Sequence, residues 1–181
     1  MMSRTLPLVG VAALLVGPVL AADMPYAGQQ TRAIKALSND EIVALHKGEG
    51  VGMAKAAELN GYPGPAHVLQ LAVQLGLTDA QRSDVQAIFN RMSAAAKPLG
   101  DELIAQEQVL DQLFAKGEIT QDRLAAATAA IAELQGRLRA VHLSAHLETR
   151  PLLNADQIAR YEQLRGYGDP QTPGQHYHHH G

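Results

Sequence analysis

Between Leu124 and Ala145 the apolar residues Leu124, Ala127, Ile131, Leu134, Leu138, Val141 and Ala145 recur in alternating steps of three and four. That spacing is a heptad seam, a narrow apolar stripe along one helix that a second helix must cover. Upstream, Val85, Ile88, Met92, Ala95, Leu99, Leu103, Leu110 and Leu113 recur mostly at the same intervals, and only "KGEIT" (116–120) separates the two segments. So short a connection predicts an antiparallel hairpin of two long helices, the first running from the Thr78–Gln81 capping box to about Lys116, the second opening after Thr120. Pro98 lies inside the first and is expected to kink it.

Shorter helices should flank this pair. Ser38-Asn39-Asp40-Glu41 reads as a capping box that starts a helix from about Asn39 to Leu59. Gly48, Gly50 and Gly52 lie within it, each costing about 1 kcal/mol relative to alanine. Either the helix is weak there or another backbone approaches closely. Asn60-Gly61 ends it, "YPGP" turns the chain, and Pro65 opens a second helix over 66–75. A last short helix follows the cap at Asn154 and runs to about Arg165. No segment alternates as a strand does. With two phenylalanines and no tryptophan, the core must be aliphatic and suits close helix packing, so the class is all-α.

The first 21 residues read as a cleavable signal peptide: Arg4, an apolar run from Leu6 to Leu20, then the small-x-Ala pattern Val19-Leu20-Ala21. The run is short of the roughly twenty residues a spanning helix needs. Export to the periplasm is therefore expected, followed by a flexible lead-in (22–37), one helical domain (38–166) and a disordered tail (167–181) containing "HYHHH". A formal charge of −3 without a basic run makes a poor nucleic-acid ligand. With no cysteine, there are no disulfides and no thiolate ligands, so any metal must rely on His, Met, Asp or Glu.

Those residue types have one conspicuous placement. His142 and His146 stand at i and i+4 beside the seam, with Cβ atoms about 6 Å apart. Two imidazoles so placed can share a Zn, Cu, Ni or Co ion, or can simply cover the edge of the core. Following Val141 and Ala145, they are expected at the rim of the packed face. A pair supplies only two ligands; Glu58, His67 and His46 are candidates to complete the shell, with Met53 a softer option for copper. The tail histidines can capture metal loosely. No enzyme is indicated. "HLSAH" lacks the glutamate that a zinc protease needs after its first histidine, Leu143 taking that place. "GEGVG" follows no strand and carries Glu49 where phosphate would bind. Arg82, Arg91, Arg137 and Arg139 either rim an apolar patch or lie on a solvated face.

Two segments repeat one pattern: "LTDAQ" (77–81) before the first long helix and "LNADQ" (153–157) before the last helix, the second with Asn154 in place of threonine. In an exported, cysteine-free helical chain these resemble the LTxxQ motifs of the periplasmic Spy/CpxP-type family, which has ZraP-like zinc-associated and CnrX-like heavy-metal-sensing branches. The resemblance covers about residues 38–166. It implies a hairpin that dimerises into a cradle, acting as an ATP-independent chaperone for unfolded envelope proteins in envelope or metal stress. The alternative it implies is a heavy-metal sensor docking on an inner-membrane sensor or anti-sigma partner. In the chaperone reading, metal at His142 and His146 would bias the angle between the hairpin and the N-terminal helix, an expectation resting on the histidine spacing.

Overall fold

A computed structural model describes residues 25–167; the expected leader, and the tail beyond Tyr167, lie outside the described residues. Among the described residues, the chain from Thr31 to Tyr167 forms one compact unit. Its helices are α1 (Asn39–Lys47), α2 (Lys55–Glu58), α3 (Pro65–Gln70), α4 (Asp79–Ala115), α5 (Gln121–Thr149) and α6 (Ala155–Leu164), with no strand among the described residues. Among the described residues, no helix is long and apolar enough to cross a membrane.

The long helices α4 and α5 pack together, and this is the most extensive contact between any two elements. The beginning of α4 lies beside the end of α5, where Arg91 Nη2 donates to Glu148 Oε2 at 2.6 Å. Ala127, Ile131, Leu134, Leu138 and Ala145 are buried, as the heptad requires, and Val141 packs against the same core. On α4 the pattern shifts by one at a single place: Ala96 is buried and Ala95 exposed. The helix continues through Pro98 without a break. Leu45 of α1 completes this first core cluster, and α1 approaches α4 closely because residue 100 is glycine. A Cβ there would stand 2.5 Å from the Leu45 carbonyl oxygen.

A helix from Asn39 to Leu59 does not form. The Ser38–Glu41 capping box is present, but α1 stops at Gly48, which takes the left-handed φ of 72°. Three glycines in five residues remove too much helix propensity for the chain to recover before α2, which is a single turn. The lead-in is likewise not wholly loose. Ile34 is buried, and the Lys35 backbone N–H donates to Asp111 Oδ1 at 3.1 Å.

A second core cluster joins Val68, Leu75, Val85, Leu153 and Tyr161, bringing α3, the start of α4 and α6 together. The repeated motif is at work beside it. Thr78 and Asn154 both cap their helices, and Gln81 and Gln157 each reach back to the N-cap backbone. The two glutamine side chains also bond to each other. Gln81 Nε2 donates to Gln157 Oε1 at 2.9 Å, and Gln157 Nε2 donates to Gln81 Oε1 at 3.1 Å. The capping glutamines are therefore a tertiary clasp between α4 and α6 as well as local signals.

Candidate functional site

Along α5 the two histidines fall between the residues of the first core cluster and Leu153 of the second. The chain from Gly48 to Pro65 lies over them, and its glycines set how closely it lies. A Cβ at Gly50 would be 3.1 Å from the His142 ring, and one at Gly64 would be 2.7 Å from His146 Cε1. His142 and His146 are consequently 4% and 7% exposed. The expected rim position is overturned: the glycines admit the imidazoles beneath a loop rather than another backbone.

His146 is oriented by its Nδ1, which stands 2.7 Å from the Tyr62 carbonyl oxygen. A carbonyl only accepts, so Nδ1 carries the proton and the lone pair of the neutral ring resides on Nε2. His142 makes no hydrogen bond, and its Nε2 is buried without a partner. Burial, and after it the charge of His146, holds His142 below the usual histidine range. Its ring is therefore neutral at neutral pH and keeps a free lone pair.

Glu58, the last residue of α2, is the charged centre of the site. Its Oε1 accepts from Tyr161 Oη at 2.5 Å, Tyr167 Oη at 3.2 Å and Arg165 Nε at 3.3 Å. His67 Nδ1 lies 3.4 Å from the same oxygen, and His146 Nδ1 lies 3.7 Å from Oε2. Oε2 itself is buried with no hydrogen-bond partner. Burial works against ionisation here. Hydrogen bonds from His67 and Tyr161, with the charges of His67 and His146, outweigh it and hold the carboxyl at about 2. Tyr161 is pushed well above the usual phenol range by burial and by its bond to Glu58.

Glu58, His67, His142, His146, Arg165 and Tyr167 line a cavity of about 840 Å³, together with the glycine loop, Phe89, Met92 and the side chains of Lys47, Lys55 and Lys97. The structure thus brings Glu58, His67, His142 and His146 to one place. It leaves out His46, which is exposed and pairs with Asp101 at 2.6 Å, and Met53, which packs against the first core cluster. Among the described residues, however, no three His, Asp or Glu side chains converge tightly enough to hold one ion. Sequence reasoning passed over Tyr161, Arg165 and Tyr167. The first two share a face of α6 at i and i+4, a signal available in principle; Tyr167, assigned to the disordered tail, belongs to the site.

Two titrations follow for acid stability. His142 is depressed below 6.5 and Glu58 below 4.5. Each stabilises the fold fully above its unfolded value and loses that contribution as pH falls through its folded one. Urea midpoints should therefore decline in two stages, the first beginning below about pH 6.5 and the second between 4.5 and 2. Glu58→Gln should shrink the second stage to the share that Glu41, held low by its hydrogen bonds with Ser38, still contributes, and should leave the first stage in place; an unchanged acid limb in that variant would contradict the assignment.

No family model, curated protein or solved structure matches the chain.

Proposed function

We propose that this protein is a metal-responsive helical module of the cell envelope, taking a divalent transition metal at His142, His146, Glu58 and His67. One observation carries the reading: two buried donor atoms, His142 Nε2 and Glu58 Oε2, lack hydrogen-bond partners beside the same cavity. Buried polar atoms are nearly always paired, so two orphans at one place call for a ligand. A neutral imidazole nitrogen and a carboxylate oxygen are donors that suit Zn, Co, Ni or Cu. The donors are close but not converged, so capture of an ion requires them to move. No hydrogen bond of the His142 ring would have to break in that movement. A bound ion would act here as a charge and a cross-link between α2, α3 and α5, and that rearrangement suits a sensor. The resemblance to metal-sensing relatives, the signal-peptide pattern and a docking partner in the inner membrane are parts of the same proposal.

Calorimetric titration with Zn²⁺ and Co²⁺ tests it, using the full chain with His176, His178, His179 and His180 changed to asparagine so that the tail contributes no imidazole. The expected result is one ion per chain, with Co²⁺ giving visible absorption bands. His142→Ala/His146→Ala should weaken binding by more than about a hundredfold, the upper end of what loss of outer-shell partners alone costs. Equal affinity with and without the two imidazoles would refute the metal reading.

A second reading, ATP-independent client holding by a dimeric hairpin, is favoured by the exposed Val109 and Phe114 toward the end of α4. In an aggregation assay with a denatured client, the same preparations would suppress aggregation without metal if that reading holds.

A further inference from the structure

We infer that the cavity beneath the glycine loop binds a singly charged organic acid with an apolar ring body, its carboxylate at three lysines around the mouth and a hydroxyl at His142 on the floor. Such a ligand differs in chemistry from the metal proposed above, and the inference stands or falls separately from that reading.

The mouth carries an excess of cations. Lys47 ends α1, Lys55 opens α2 and Lys97 lies on α4; all three are exposed and line the cavity. Among the described residues, none of the three forms an ion pair. The bare backbones of Gly48 and Gly52 let two of their stems lie against the loop. Lys97 Cγ would stand 3.1 Å from a Cβ at Gly48, and Lys55 Cε 3.2 Å from one at Gly52. Two acids also line the cavity, but Glu58 is already engaged by Tyr161, Arg165 and Tyr167. That leaves Glu49 against three unpaired ammonium groups. In a chain of formal charge −3, this local surplus runs against the general balance and draws anions to the mouth. The surplus is small, so it favours one negative charge over the two of a phosphate.

Behind the mouth the walls are apolar. Phe89 and Met92 come from α4, and Pro65 and Ala66 from α3. A volume of about 840 Å³ suits a small molecule, and pockets for such ligands are apolar with a few placed polar groups. His142 is that group on the floor. It is 4% exposed, and its Nε2 is buried without a partner. Buried polar atoms are nearly always paired, so the floor calls for a polar group from a ligand. A hydroxyl both donates and accepts, and therefore satisfies either tautomer of the neutral ring. No hydrogen bond holds that ring back from turning to meet it.

The test uses the full chain, stripped of metal on a chelating resin, and a hydroxynaphthoate with its hydroxyl and carboxylate on opposite rings. Fluorescence anisotropy reads the binding. One molecule should bind per chain, and the methyl ester, which has the same rings and no charge, should bind about tenfold more weakly. Lys47→Gln/Lys55→Gln/Lys97→Gln should lose a similar factor, the sum of three exposed charges of modest individual worth. Lys116→Gln, an exposed lysine outside the cavity, should lose nothing. At about 1 M salt, where the screening length falls to about 3 Å, parent and triple variant should bind alike. For the floor, naphthoate without the hydroxyl should bind the parent about fivefold more weakly, as loss of one hydrogen bond predicts. In His142→Phe the hydroxyl should make no difference, a result that general damage to the fold would not produce. The inference is overturned by the absence of saturable binding, by an ester that binds as well as the acid, by a triple variant that matches the parent at low salt, or by a hydroxyl effect that survives His142→Phe.

Discussion

Gly100→Ala should destabilise the protein by about 2 kcal/mol, against the sign that helix propensity alone would give. In an exposed helix interior, alanine for glycine gains about 1 kcal/mol. At residue 100 the new methyl group would meet the backbone carbonyl of Leu45 at 2.5 Å. A flexible side chain could swing aside, but a carbonyl moves only with its helix. α1 would have to lift from α4, opening contacts around Leu45, Leu99 and Leu103, all members of one buried cluster. The overpacking cost exceeds the propensity gain. Gly136→Ala is the matched control, because nothing lies within 4 Å of that Cβ position on α5, and it should be stabilising by about 0.5–1 kcal/mol. Urea denaturation of the two variants checks the pair; equal shifts would mean that α1 does not press on Gly100.

The other large effect is expected at Glu58. Glu58→Ala should cost about 3–5 kcal/mol, the range for removing one partner of a buried charged pair. The loss is dominated by what is left behind. Tyr161 is 1% exposed and would keep a buried hydroxyl without its acceptor, and Arg165 would lose its carboxylate. Tyr161→Phe in the Glu58→Ala background should recover part of the loss, because it removes the stranded hydroxyl. Chemical denaturation of the two single variants and the double variant measures the coupling directly. Strict additivity would show that the 2.5 Å contact contributes nothing to stability.

The helices were legible because their signals are local and periodic. The heptad of α5 specified its buried face, and the capping boxes at Ser38, Thr78 and Asn154 marked three helix starts to the residue. The first helix was misjudged because Ser38–Glu41 announces a beginning, whereas its end depends on whether tertiary packing rescues Gly48–Gly52. It does not. The candidate site was half legible. The i,i+4 histidines and the proposed helpers Glu58 and His67 line one cavity without converging on a point, and their burial could not be read from α5 alone. It depends on a loop from another part of the chain with glycines at positions 50 and 64. The clamp on Glu58 was invisible for a similar reason. It unites residues more than a hundred positions apart in the chain, and their residue types are individually ordinary.

The paired glutamines have a temporal consequence. Gln81 and Gln157 are 76 residues apart, yet each helps finish the opening turn of its own helix while holding the amide of the other. A chain emerging from its N-terminus can wind the middle of α4 before the second amide exists. The first turn of α4 acquires its final partner only once residue 157 has been delivered. A product cut short before residue 157 should therefore carry an α4 whose opening turn lacks its latch.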